Sequence, residues 1–147
     1  MRTLSYVTDI KATPEKIWDI LWNSDTYSKW THAFQPDCVM KSDWKIDGET
    51  YFLDKTEKNG MIATISSLNK PFEVVFKHLG MLENGVADRN SKAVVDWIGL
   101  QEKYFITPLD GGLVKLQMEV QTFPEYEEMM DKGFDFAIKE VKRLAEQ

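Results

Sequence analysis

The order of the predicted elements constrains the fold of this chain more than any other feature. Alternating residues over 3–11 predict a strand, and Thr13-Pro14 begins a short helix. A long stretch of strand-like sequence follows, and one amphipathic helix closes the chain from Glu125 to Glu146. A single long helix must cover one face of the sheet, and such a pair of layers readily keeps a cavity between them.

The first segments carry clear local signals. Leu4, Tyr6, Thr8 and Ile10 fall on one face of the predicted strand. Thr13 supplies a capping hydroxyl, and Pro14 suits the first helical position. Asn23-Ser24-Asp25 ends this helix, and a second short helix is expected over Thr26–Trp30.

The middle of the chain reads as strands separated by turns. Asn59-Gly60 predicts a two-residue hairpin that joins residues 51–58 to residues 61–68. Residues 79–92 are rich in turn formers and predict a long connection or lid. The strands predicted after this hairpin are residues 72–78, 93–98, 101–107 and 114–120.

The final helix is predicted from its caps and its periodicity. Pro124 precedes an acidic first turn, and the last turns are basic, so both ends complement the helix dipole. Its apolar face consists of Tyr126, Met130, Gly133, Phe134, Ala137, Val141 and Leu144. The whole chain, 1–147, is therefore expected to be one α+β domain.

Composition narrows the classes of partner. The net charge is −6 and the chain shows no cluster of Lys and Arg, which argues against nucleic acid and against an anionic membrane surface. Cys38 is the only cysteine, so no intramolecular disulfide can form. The N-terminus lacks the apolar core of a signal peptide, and no apolar run could span a bilayer. We therefore expect a cytoplasmic protein without membrane insertion.

Five segments of the chain resemble a known superfamily. They are the initial strand with TPEKIWDILWNSDTYSKW, then SDWKIDGETYFL, VFKHLG, WIGLQEKY and the closing helix. Together they resemble the START-related helix-grip (SRPBCC) superfamily, and most of all the branch named for the activator of Hsp 90 ATPase. The resemblance implies a curved antiparallel sheet wrapped around the C-terminal helix, with two short helices after the first strand. Members include lipid carriers, hormone receptors, cyclases and many bacterial proteins without known activity.

Catalytic and metal-binding signatures are sparse. The imidazole and thiol candidates are His32, His78 and Cys38, and their spacing matches no recognised zinc site. The chain has no nucleophile elbow and no phosphate-binding glycine loop. We expect no metal and no cofactor, and we interpret Cys38 as an inert buried thiol.

One polar constellation stands out. His78 shares a strand face with Phe76, while Glu102 and Tyr104 share a face of a later strand. If both faces point to the helix, these three residues are polar groups in an apolar concavity, as in many ligand pockets. A satisfied pair of core polar groups would give the same pattern, and a register error of one residue would move all three to solvent.

The aromatic residues extend this candidate site. Trp18 is expected in the core, whereas Trp30 and Trp44 flank the segment where this fold opens and are expected at a pocket rim. The predicted cavity residues are Trp30, Trp44, Phe76, His78, Trp97, Glu102, Tyr104, Met130 and Phe134.

Three functions are compatible with the sequence. The favoured one is a non-enzymatic module that binds a small apolar or amphipathic molecule between sheet and helix. The second is an enzyme of the cyclase, aromatase or hydrolase type that uses His78, Glu102 or Tyr104. The third is a chaperone partner, suggested by the name of the branch. Exposed edge strands could also pair two copies into a homodimer.

Overall fold

A computed structural model describes residues 1–147 as eight strands and four helices. The strands are β1 (Arg2–Ile10), β2 (Val39–Ser42), β3 (Thr50–Leu53), β4 (Gly60–Asn69), β5 (Glu73–Glu83), β6 (Val86–Asp88), β7 (Gln101–Pro108) and β8 (Val114–Thr122). The helices are α1 (Pro14–Trp22), α2 (Ser24–Trp30), α3 (Lys92–Val95) and α4 (Glu127–Ala145). Short 3-10 turns lie at Asp110–Gly112 and Pro124–Tyr126.

The strands form one antiparallel sheet in the order β1-β8-β7-β5-β4-β3-β2, and β6 pairs only with β5. Helix α4 contacts β1 and β8 and is flanked by α1 and α2. This arrangement confirms the predicted α+β helix-grip fold, with two short helices after the first strand. Strands β1 and β2 are the free edges of the main path.

The elements with the clearest sequence patterns form where they were predicted. The Thr13 hydroxyl accepts a hydrogen bond from the Lys16 backbone N–H at 3.1 Å, so α1 begins at the expected cap. In β8 buried and half-buried residues alternate from Val114 to Thr122. This alternation lets one face of the strand pack under α4 while the other faces outward.

Strand β4 departs from simple alternation. Its register against β5 shifts between Ile62 and Ala63 and again between Ile65 and Ser67. Four consecutive residues, 62–65, are buried as a result. Bulges of this kind bend the bulged strand and increase its twist, so they help the sheet to wrap around the helices.

Three local predictions were wrong. Residues 79–92 are not a lid, because β5 continues to Glu83 and turns at Asn84-Gly85 into β6. Residues 93–98 are not a strand, because α3 occupies Lys92–Val95 and turns follow it over residues 96–99. The hairpin at Asn59-Gly60 has a longer connection than predicted, since Asp54 accepts bonds from Thr56 and Asn59 and closes a loop before the turn.

An aromatic cluster lies between α1 and the middle strands of the sheet and consists of Trp18, Trp22, Trp44, Phe76 and Tyr104. Trp22 is at its centre, with its ring centroid 4.9 Å from that of Tyr104 and 5.4 Å from that of Phe76. Trp18 is buried beside it, as predicted for a core residue. The rings meet edge to face, the arrangement that the aromatic quadrupole favours.

Helix α4 is fixed to β1 by Tyr6. The Tyr6 ring stacks on Phe134 with centroids 5.7 Å apart, and its hydroxyl donates to Asp131 at 2.7 Å. None of the four helices combines the length and apolarity that a membrane crossing requires.

Phe34 makes a close approach to the start of α4. Its ring lies where a Cβ atom on Gly133 would be, and it also packs edge to face on Phe134 at 5.0 Å. Only glycine therefore permits this contact between the segment after α2 and the final helix. The contact matters for function because Phe34 and Phe134 both line the cavity described below.

We expect Gly133→Ala to lower the free energy of unfolding by about 1–2 kcal/mol, because the new methyl overlaps the Phe34 ring. In a Phe34→Ala background the same change should raise it by about 1 kcal/mol, the usual gain in helix propensity. Denaturant unfolding of the four proteins measures both effects. Equal effects of Gly133→Ala in the two backgrounds would contradict this account of the contact.

Candidate functional site

A cavity of about 540 Å³ lies between the sheet and the N-terminal half of α4. Side chains from α2, the segment after it, β3, β4, β5, β7, β8 and α4 line it. The site is thus bounded on one side by the strands at the middle of the sheet and on the other by helices. Its volume is in the range typical of pockets for small organic ligands.

The cavity wall is mostly apolar and partly adaptable. Its hydrophobic lining includes Tyr27, Trp30, Phe34, Phe52, Leu53, Met61, Met81, Trp97, Val120, Tyr126, Met129, Met130 and Phe134. Four of these residues are methionines, whose flexible side chains can adjust to ligands of different shape. Met81, Tyr126 and Met129 are exposed, so they mark the side that opens to solvent.

Polar side chains meet at one place in this wall. The Tyr104 hydroxyl donates a hydrogen bond to Oε1 of Glu102, and the two residues project from the same face of β7. The His78 Nε2 atom lies 4.0 Å from Oε2 of Glu102, which is too long for a hydrogen bond. His78 is only 8% exposed, and its Nδ1 has no hydrogen-bond partner.

Burial sets the protonation of these groups. Desolvation lowers the pKa of His78 to about 4, so its imidazole is neutral near neutral pH. Desolvation also raises the pKa of Glu102, although the hydrogen bond from Tyr104 acts in the opposite direction. The pKa of Tyr104 is raised well above its usual value by burial and by the neighbouring carboxyl, so its phenol remains a donor.

Six of the nine predicted cavity residues line the cavity. They are Trp30, His78, Trp97, Glu102, Met130 and Phe134. The approach of His78 to Glu102 depends on the pairing of β5 with β7, which places Phe76 opposite Glu102. The role of the six residues in binding remains a prediction.

The other three predicted residues do not line the cavity, because they belong to the aromatic cluster behind it. Phe76 is fully buried between Trp22 and Phe52. Tyr104 reaches the site only through its hydroxyl. Trp44 is not a rim residue: its backbone has a left-handed φ of 55°, and its ring packs on Trp18 at 5.6 Å.

Sequence reasoning missed several lining residues. Tyr27 lies three residues before Trp30 on α2, so helical spacing could have placed both on one face. Met61 follows the turn glycine Gly60, and no pattern in the sequence marks its direction. Cys38 is half-buried at the cavity wall, where its thiol donates to the Gln35 carbonyl at 3.3 Å, so its prediction as a buried thiol was wrong.

The donor set does not favour a metal ion. No three His, Cys, Asp or Glu side chains converge in a geometry that could hold one. The site is a mostly apolar cavity in which Glu102 is the one carboxyl and His78 the one imidazole. The other polar side chains of the wall are Tyr27, Thr31, Gln35, Cys38, Gln121 and Tyr126.

The buried His78 should make stability depend on pH. Its folded pKa of about 4 lies below its unfolded value of about 6.5, so its contribution is present above the unfolded pKa and is lost as the pH falls toward the folded one. Between about pH 7 and about pH 5 this loss is on the order of 2 kcal/mol. Glu102 acts oppositely, because its raised pKa makes ionisation costly as the pH rises.

We expect His78→Phe to flatten the fall in unfolding free energy between neutral and mildly acidic pH. Denaturant unfolding at several pH values measures the slope, and His32→Phe, at an exposed position, is the matched control. Parallel pH profiles for wild type and His78→Phe would show that His78 is not buried in its neutral form.

The chain is similar in structure to solved proteins, but their sequence identity to it is low. No model of a protein family matches the chain, and no curated protein matches it. The Aha1 dimer from Colwellia psychrerythraea is similar with a TM-score of 0.68 and 16% identity, covering 99% of this chain and 97% of that one. A protein from Mesorhizobium loti has a TM-score of 0.70 and 13% identity, covering 97% and 96%.

An Hsp 90 activator from Plasmodium falciparum is also similar, with a TM-score of 0.59 and 12% identity, covering 91% of this chain and 88% of that one. These alignments span nearly the full length of both partners. They confirm the resemblance expected from the sequence at the level of the fold. The chain shares its helix-grip fold with these three structures.

Proposed function

We propose that the protein binds a small apolar or amphipathic molecule in the cavity between the sheet and α4. The observation that carries this proposal is the cavity itself, about 540 Å³ in volume, with a mostly apolar wall in which His78 and Glu102 lie 4.0 Å apart. Such a wall gives affinity through burial of apolar surface, and a few fixed polar groups orient the ligand.

The packing around the cavity supports binding over a purely structural role. Met61 and Met130 line the cavity and are only half-buried, so apolar surface that a ligand could cover is left exposed there. Glu102 also faces it: its side chain is 18% exposed, and only Oε1 accepts a hydrogen bond, from Tyr104, so withdrawing this carboxyl from water costs stability. A core that served only to hold the fold would gain by filling this space with apolar side chains.

The alternative functions have less support in this chain. The polar groups could serve acid–base chemistry, but no second set of groups identifies a reaction. The likeness to the Plasmodium falciparum Hsp 90 activator is one of fold at 12% identity, which does not transfer a chaperone partner. A homodimer and a cytoplasmic location remain predictions.

Nile red, a neutral dye whose fluorescence rises in apolar surroundings, should bind the wild-type protein with one site per chain. Met61→Trp should weaken its binding by about tenfold or more, because the larger ring occupies cavity volume. Fluorescence titration measures both affinities.

The matched control is Val7→Trp, which introduces the same residue on the outer face of β1, where Val7 is 55% exposed. It should leave Nile red affinity unchanged, and unfolding curves should show both variants folded. Equal binding by all three proteins would place the dye outside the cavity and count against the proposal.

The single cysteine offers an independent test. Because Cys38 lines the cavity, saturation with Nile red should slow alkylation of its thiol by iodoacetamide about tenfold. Intact-mass measurements over time give the rate without ambiguity, since no other thiol is present. An unchanged rate at a dye concentration that saturates the fluorescence would contradict binding at this site.

A further inference from the structure

We propose that the cavity selects a ligand bearing a hydroxyl group, an alcohol or a phenol, and that this hydroxyl bridges His78 and Glu102. This inference rests on the proposed binding function and specifies the polar end of its ligand. It is carried by the gap between two cavity-lining side chains and by the absence of any cationic side chain in the wall.

The gap has the dimensions of a bridging oxygen. The His78 Nε2 and Glu102 Oε2 atoms are 4.0 Å apart, which is too far for a direct hydrogen bond. An oxygen placed about 2.8 Å from each of them, a usual hydrogen-bond length, would bridge the two atoms at an angle of about 90°. Oxygens of this type therefore complete a pair that the protein leaves open.

Tyr104 prepares the carboxyl for this contact. Its phenol donates to Oε1 of Glu102, which fixes the orientation of the carboxyl group and leaves Oε2 toward His78. The Tyr104 ring is itself held in the aromatic cluster against Trp22 at 4.9 Å. The free oxygen is thus a preorganised acceptor.

His78 supplies the complementary donor. Burial keeps its imidazole neutral, so the ring carries one N–H and one bare nitrogen. With the proton on Nε2, the ring donates to a ligand oxygen while the ligand O–H donates to Glu102. A hydroxyl performs both roles, because it has one donor and two acceptor lone pairs.

Other head groups satisfy the pair less well. A carboxylate is only an acceptor and would stand beside Glu102, the sole carboxyl group among the lining residues, with no Lys or Arg in the wall to offset the repulsion. An ammonium group could donate to Glu102, but it could pair with His78 only if the imidazole proton moved to Nδ1, where the buried N–H would have no acceptor. A ligand with no polar end would leave both protein groups unpaired.

Displacement of Nile red by decanol, decylamine and decanoate separates these cases, since the three compounds have the same number of carbon atoms and differ in the polar end. All three are used below the concentrations at which they aggregate. We expect decanol to displace the dye at a concentration about tenfold lower than decylamine requires, and decanoate to be the weakest. The alkyl chains of the three compounds make similar apolar contacts in the cavity, so differences in the displacing concentration report the head group.

Glu102→Gln tests the assigned residue. The amide keeps the shape of the side chain and adds a donor, so the preference for decanol over decanoate should fall about tenfold. Glu119→Gln is the matched control: it removes the same charge from the outer face of β8, where Glu119 pairs with Lys103 at 3.4 Å. It should leave the order of affinities as in wild type.

The outcomes separate this inference from the function on which it rests. Equal displacement by the three compounds, or a preference for decanoate, would overturn the hydroxyl assignment and leave the binding function standing. A preference for decylamine that Glu102→Gln removes would replace the hydroxyl by a cation and would also overturn it. If Nile red itself does not bind in the cavity, the proposed function fails first.

Discussion

A single helix is too narrow to cover the concave face of this sheet, and the rest of the structure follows from that mismatch. The seven strands of the main path span roughly 30 Å at the usual strand spacing, whereas a helix with its side chains is about 10 Å across. Helix α4 covers the β1–β8 side, and α1 and α2 cover part of the remainder. The space left between these helices and the sheet is the cavity.

Two contacts hold this opening in place. Phe34 reaches over Gly133 and packs on Phe134, which connects the segment after α2 to the final helix. The aromatic cluster around Trp22 forms a rigid base behind the cavity and positions Tyr104. Aromatic side chains have few rotatable bonds, so a wall built from them holds its shape at little entropic cost. The carboxyl of Glu102 is therefore oriented by a tyrosine that this cluster holds in place.

Glu102 shows the balance between stability and function most clearly. Burial raises its pKa, so ionising it in the folded protein costs free energy. A glutamine at this position would carry no such cost, because its amide does not ionise. The Nε2 atom of His78 lies 4.0 Å from Oε2 of Glu102, too far for a hydrogen bond, so the two atoms do not satisfy each other. Unpaired polar groups of this kind are few in natural cores, and they concentrate where a ligand completes them. A ligand hydroxyl between His78 and Glu102 would complete this pair.

Much of the fold could be predicted from the sequence, because its strongest elements carry local signals. The Thr13-Pro14 cap, the alternation in β8 and the periodicity of α4 all act within a few residues. The predictions over 79–98 were wrong because glycine and asparagine mark a tight turn between β5 and β6 as readily as a long loop. Local composition does not distinguish the two.

For the site, alternation left the inward direction of these strands open, whereas the sharing of a strand face by His78 with Phe76 and by Glu102 with Tyr104 was predictable. The placement of Trp44 was not, because it depends on a left-handed backbone and on packing against Trp18. The bulges in β4, which help to shape the sheet, leave no local signal that an alternation pattern detects. Sequence thus predicts which faces meet, and long-range packing decides which side chains border the space between them.

A crystal structure of the protein grown with decanol tests the central claim most directly. We predict continuous density in the cavity, with the alkyl chain against Met61 and Met130 and the oxygen between His78 Nε2 and Glu102 Oε2. A cavity closed by those methionines, with no density inside it, would contradict the account.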